Sequence, residues 1–216
     1  IMARAAAHAD PEVKHQKIFE PFLTSSREAG SGGAEVARRV GDRLNWAVLD
    51  KELGDSLASD LELEPRVLKL MDETRANWFS ETLLNLFNSR LVAQQSYVEL
   101  LGKVVALAAL AEPVVIVGRG AHLILPTEHG HRIRVIAPKP ARVTTIAGRE
   151  GLKRSLAEKR MNEIDADRQG FIRRNFRSDA TDASLYDLVV NTGALGIDGS
   201  AEVIIRSLEV RGLCLS

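Results

Sequence analysis

Cysteine is almost missing from this chain: Cys214, beside the C-terminus, is the only one in 216 residues. That excludes an intrachain disulfide framework and a cysteine-built zinc cluster, and it suits a reducing compartment, so a cytoplasmic location is expected. Net charge is missing too, because 29 basic residues balance 29 acidic ones. No global field draws the chain to nucleic acid or to anionic lipid; neither is expected as a partner, and any basic site has to be local. Long apolar runs are also lacking. The most apolar stretch, residues 104–117, is broken by Glu112 and Pro113 and falls short of the roughly 20 residues that cross a bilayer. Residues 1–10 are rich in alanine but lack the apolar core and cleavage pattern of a signal peptide. What is present is 45% hydrophobic content, enough for one sizeable core and, at this length, too little chain for two ordinary domains.

The most informative absence is a single lysine. Residues 22–37 read as a short apolar strand, a glycine-rich turn (Gly30, Ser31, Gly32, Gly33) and a helix start (Ala34, Glu35), which is how a phosphate-binding loop is written. A phosphate needs several donors that converge with no side chain in the way. Glycines let the backbone turn its N–H groups inward, and the following helix directs its positive end at the same spot. In the usual pattern, Gly, four residues, Gly, Lys, Ser/Thr, the first glycine falls here on Arg27, the lysine on Gly33 and the hydroxyl residue near Ala34 or Glu35. No fixed cation then stands on the β- and γ-phosphates, and Mg²⁺ loses its usual protein ligand. Arg27 is a candidate to return the cation from the other end of the loop. Glu28 or Glu35 is placed to hold a metal through water, although Glu35 in a first turn also reads as an ordinary complement to the helix dipole.

Apolar, β-branched runs at residues 22–26, 47–49, 114–117, 133–136 and 188–190 are separated by helical patterns, which predicts a parallel sheet covered on both faces. Residues 34–44 carry Val36, Ala37, Val40 and Leu44 at helical spacing, with arginines opposite, and form the first crossover helix. Residues 57–112 read as a helical insert, either a core-packing hairpin or an oligomer contact, so a homo-oligomer through this insert is one expectation. The segment 139–180 is dense in arginine, with interleaved carboxylates. One domain is expected over residues 21–212 after a tail, 1–20.

Two further constellations sit at strand ends. The run Val114-Val115-Ile116-Val117-Gly118-Arg119-Gly120 puts Arg119 beyond a buried strand. Ligands of parallel α/β sheets gather there, so Arg119 is either a bidentate phosphate grip or a structural ion pair. His122 after it reads as a loop histidine rather than a base. The run Tyr186 to Gly193 leaves the last strand into a turn, where Asn191 and Thr192 either start the turn or contact an adenine base.

Together with Leu49-Asp50-Lys51-Glu52-Leu53, these runs resemble the cytidylate kinase-like family of P-loop nucleoside monophosphate kinases, over about residues 20–210. The resemblance implies a three-layer α/β fold with a five-stranded parallel sheet, a monophosphate-binding helical insert and an arginine-bearing lid. The activity it implies is transfer of the ATP γ-phosphoryl group to a nucleoside monophosphate such as CMP, with Mg²⁺. Cytidylate kinases end the third strand in Asp-Gly-Arg-Asp, whose arginine grips the monophosphate; here that arginine is Arg119, and the flanking acids are replaced by Val117 and Gly120. Asp50 and Arg142 are the further substrate-binding candidates, and the lid candidates are Arg168 and Arg173. The competing reading is a non-catalytic nucleotide- or phosphate-binding module that has lost the loop lysine. A third is a phosphotransferase with a non-nucleotide acceptor.

Overall fold

The computed structural model describes residues 19–50 and 95–214. Five strands, β1 (Phe22–Arg27), β2 (Ala47–Leu49), β3 (Val114–Val117), β4 (Gly130–Ile136) and β5 (Leu188–Asn191), form one sheet in the order β2-β3-β1-β4-β5. Every pairing is parallel. Among the described residues the helices are α1 (Gly33–Leu44), α2 (Gln95–Ala111), α3 (Ala121–Ile124), α4 (Lys139–Glu150), α5 (Arg154–Phe176) and α6 (Thr192–Val210). Of the insert expected at 57–112, α2 is described; its remainder, with Lys51, Glu52 and Leu53, lies outside the described residues.

Alternation along the strands builds the layers. Phe22, Val114 and Ile116 point to one face, where Val105 and Leu110 of α2 and Ile124 of α3 cover them. Leu23, Val115, Val117, Ile133 and Val135 point to the other, under Val36 and Val40 of α1 and Ile204 and Leu208 of α6. Strands buried on both faces read as continuous apolar runs, as β3 does; β1 buries Thr24 and Ser25 beside Phe22 and Leu23 and is recognisable by the glycine turn that follows it. Strand β4 begins three residues ahead of its apolar run, where Gly130, His131 and Arg132 pair with Phe22, Leu23 and Thr24 of β1. His131 Nε2 lies 2.8 Å from Ser207 Oγ, and Arg132 meets both oxygens of Asp187, at 2.7 and 3.3 Å.

The register aligns the carboxyl ends of the three central strands. Ser25 pairs with Val117 on one side and Ile133 on the other, and the Gly118 N–H donates to Ser25 O at 2.8 Å. Arg27, Gly118 and Val135 therefore sit on one rim, from which the glycine turn departs. A small cluster of Ala29, Val143, Ile146, Ala157 and Met161 seats that turn on α4 and α5.

A buried guanidinium completes the seat. Arg142 of α4 donates from Nε to Ala29 O at 2.8 Å, its Nη1 lies 3.2 Å from Glu28 Oε2, and its Nη2 pairs with Asp165 of α5. Asp165 returns a bond from its other oxygen, accepting the Ala29 N–H at 2.7 Å, and Glu28 accepts the Ala137 N–H at 3.2 Å. Both polar groups of the Ala29 peptide, the start of α4 and the middle of α5 are thereby joined through one side chain. Removing it leaves two carboxylates and a carbonyl without their partner. Arg142→Met is therefore expected to lower unfolding free energy by about 2–3 kcal/mol, read by urea denaturation with an unchanged slope; a loss under about 0.5 kcal/mol would refute the clamp.

Candidate anion-binding site

The loop itself is built as an open cradle. Gly30 and Gly32 take left-handed backbone, with φ of 75° and 76°, and a Cβ on Gly30 would lie 2.5 Å from the Arg142 carbonyl oxygen, so only glycine fits there. Ser31 is buried, its hydroxyl donating to Glu28 O at 2.9 Å, while its carbonyl accepts from Thr192 Oγ1 at 2.7 Å. Asn191 caps α6 through the Gly193 N–H at 2.9 Å. Both residues of that turn are thus spent on holding the loop and the helix start. Helix α1 follows with Gly32 as its cap and no side chain bonded to its first-turn N–H groups. Backbone donors and the helix dipole are left facing one place, the arrangement that binds phosphate.

The lysine position has a physical explanation. A Cβ on Gly33 would lie 2.5 Å from Arg27 Cβ and 3.1 Å from its Cγ. The Arg27 stem occupies the space in which a side chain at 33 would begin. Its guanidinium ends at the tip of β3, with Nη1 2.2 Å from where a Gly118 Cβ would be, and Nη2 3.3 Å from Asp50 Oδ1. The two exchanged positions are one substitution in space: arginine from the first-glycine position lies over the vacated lysine position.

Around Arg27 the cations converge. Arg168 of α5 donates to Arg27 O at 3.1 Å, and burial beside the Arg27 charge brings its guanidinium down to about 10. Burial also lowers Arg27, with Asp50 opposing and the Arg119 charge adding to the effect. Arg119 stands in left-handed backbone at φ 54°, between Gly118 at 82° and Gly120 at 72°. A non-glycine residue in that region is uncommon and clusters at functional sites. Arg27, Arg119 and Arg168 all line one cleft of about 570 Å³, roofed by α5. Other candidates are placed elsewhere: Arg142 lies behind the loop in the clamp, and Arg173 is exposed on the last turn of α5, off the cleft wall.

The cleft floor holds side chains that sequence reasoning passed over. Arg134 of β4 donates to Ser26 Oγ at 3.3 Å and lies 5.7 Å over the Tyr186 ring. The Tyr186 hydroxyl donates to Ala180 O at 2.9 Å and is 3.4 Å from His122 Nε2. A lone arginine at an alternating position between Ile133 and Val135, facing the layer of Phe22, was the available signal. His122 is buried, and burial, aided by Arg132 and Arg134, holds it down at about 4. It is a neutral lining group, not a cation.

Two outcomes follow. Gly33→Lys alone is expected to weaken binding of inorganic phosphate at least tenfold by calorimetry, because the new stem collides with Arg27; Arg27→Gly/Gly33→Lys, which restores the usual order, is expected to recover most of it. A single variant that binds as well as wild type would disprove the exchange. Because His122 is lowered when folded, its contribution is complete above about pH 6.5 and is lost as pH falls toward 4, by at most about 3 kcal/mol. His122→Gln is expected to flatten the stability profile between pH 7 and pH 4.5 in urea titrations; an unchanged slope would contradict it.

Comparison with known proteins agrees with this geometry. The family model described as the cytidylate kinase-like family matches residues 22–194. Among solved structures, an uncharacterized protein from Eubacterium ventriosum ATCC 27560 superposes at a TM-score of 0.71 and 23% identity, covering 88% of this chain and 99% of that one. A shikimate kinase from Bacteroides thetaiotaomicron aligns at 0.46 and 14% identity, covering 87% and 98% of the two chains. The Mycobacterium tuberculosis APS kinase CysC, in complex with AMPPNP and APS, aligns at 0.43 and 18%, covering 88% and 98%. No curated protein matches in sequence. No helix among the described residues is long and apolar enough to cross a membrane. The sheet is the expected five-stranded parallel one with helices on both faces, and the chain belongs to the cytidylate kinase-like family.

Proposed function

We propose that this chain is a nucleotide-dependent phosphotransferase that moves the ATP γ-phosphoryl group to a nucleoside monophosphate of the CMP type. The observation that carries this reading is the convergence of Arg27, Arg119 and Arg168 on the cleft beside the uncapped start of α1. A pure binding module needs the cradle; it does not need three guanidiniums, one of them delivered by the roof helix.

The residues present fit a phosphate chain. First-turn N–H groups of Gly33, Ala34 and Glu35, with the loop from Gly30, hold the phosphates of ATP. Arg27 supplies the charge that lysine supplies elsewhere, and its bidentate fork suits phosphoryl oxygens. Glu35, in the first turn of α1, would hold a Mg²⁺ through water, and the ion would supply charge neutralisation on the phosphate oxygens. Arg119 holds the acceptor, and Arg168 faces the charge that develops on the transferring group.

As an acceptor phosphate oxygen bonds to the γ-phosphorus, the bond to the β,γ-bridging oxygen breaks and ADP leaves. A phosphate oxygen is already ionised at neutral pH, so this acceptor requires no general base. The cleft offers the transferring group guanidiniums and the Ser26 hydroxyl, and of the carboxylates on its wall Glu28 and Asp165 are engaged by Arg142.

Turnover of ATP with a panel of nucleoside monophosphates in Mg²⁺ tests the reading. Wild type is expected to turn over CMP above background. Arg168→Ala is expected to lose about 10²–10³-fold in kcat, and Arg119→Ala to raise KM for the monophosphate more than for ATP. Micromolar ATP binding without turnover for any acceptor would replace the enzyme by a nucleotide-binding module.

A further inference from the structure

Arg134 is a mostly buried cation on the floor of the cleft. It is 9% exposed. Its neighbours are the Ser26 hydroxyl and the face of the Tyr186 ring, and among the described residues no carboxylate lies within ion-pair distance of it. Three neighbouring arginines of the sheet and loop each have a carboxylate: Arg27 has Asp50, Arg142 has Glu28 and Asp165, and Arg132 has Asp187. The Nε and Nη2 of Arg134 have no protein partner among the described residues and open on the cleft, where the anion of a ligand can reach them.

Its surroundings favour an anion of many acceptors. One guanidinium nitrogen is engaged at 3.3 Å, and the side chain lines the same cleft as Arg119 and Arg168. The Tyr186 hydroxyl has one proton, which goes to Ala180 O, an acceptor only; the Ser26 hydroxyl, 3.2 Å away, can then donate to it while accepting from Arg134. Tyr186 itself is fastened at 5.0 Å from the neutral His122 ring. Ser26, Tyr186 and His122 therefore orient the guanidinium and leave its remaining donors to the cleft. The register that pairs Ser26 with Arg134 puts both on the cleft side of the sheet.

We propose that Arg134, held by Ser26 and Tyr186, forms a second anion subsite at the floor of the cleft, separate from the glycine loop, which takes the phosphate monoester of the acceptor. The assignment of that anion to an acceptor rests on the phosphotransferase reading above. The site itself rests on burial and hydrogen bonding.

The test is a crossed binding experiment on the full chain, by calorimetry, with CMP, cytidine, inorganic phosphate and ATP titrated separately. Arg134→Gln is expected to weaken CMP and one phosphate site by about 10- to 100-fold while ATP changes less than threefold; Arg27→Gln is expected to do the reverse. Cytidine is expected to bind too weakly to measure. Free of ligand, Arg134→Gln is expected to melt at or above the wild-type temperature, an outcome a merely structural arginine would not give. Should that variant fail to fold, Arg134→Lys keeps the charge without the fork and is expected to weaken CMP at least fivefold with ATP unchanged. Wild-type affinity for CMP in a folded Arg134 variant, no CMP binding to wild type, or equal losses for both ligands in both variants would overturn the subsite. Phosphate binding that depends on Arg134, without turnover of any monophosphate, would overturn the phosphotransferase and leave the subsite standing.

Discussion

The clamp made by Arg142 is the contact on which the site depends. Its guanidinium satisfies the Ala29 carbonyl and two carboxylates, and one of those, Asp165, in turn satisfies the Ala29 N–H. The turn between β1 and α1 has few side chains of its own to hold it, being glycine at 30, 32 and 33. A glycine-rich segment loses much conformational entropy when it is ordered. Here the ordering is imposed from outside, by α4 and α5 behind and Thr192 in front. The cradle is rigid because its neighbours are.

The same contact places the roof. Asp165 and Arg168 lie one turn apart on α5, so a helix fastened at Asp165 delivers Arg168 to the Arg27 carbonyl. That helix is mostly solvated: Ala157, Met161, Ile172 and Asn175 are its buried residues. It is positioned by charge and by a few anchors, with Phe171 and Phe176 reaching the main core. An element attached this way has less apolar burial opposing its displacement than the strands beneath it.

Much of the scaffold was legible in sequence, and the reason is local. Strand β3 is buried on both faces, so apolarity alone marks it, whereas β1, in which Thr24, Ser25 and Ser26 follow Phe22 and Leu23, is marked by the glycine turn after it. The rim of the site was legible through the glycines and through Arg119, which end strands. Strand β4 was under-read because His131 and Arg132 find partners in residues far along the chain, Ser207 and Asp187. The division of labour among the arginines was illegible for the same reason. Arg142, Arg168 and Arg173 look alike as letters. One is engaged behind the loop, one reaches the cleft and one faces water, according to contacts that span up to 141 positions. The exchange of Arg27 and Gly33 is similar: in sequence two departures from a pattern, in space one side chain crossing the place of another.

Arg119 carries one more consequence. Three successive residues in left-handed backbone, with a side chain only on the middle one, cost about 1–2 kcal/mol at that position against an ordinary strand exit. Glycine would sit there at less backbone strain. What the backbone achieves is to make the direction of the side chain a property of the main chain instead of its rotamers. Position 119 is then decoupled from the core: the aim of its side chain into the cleft is set by the turn that carries it and not by the packing beneath the sheet.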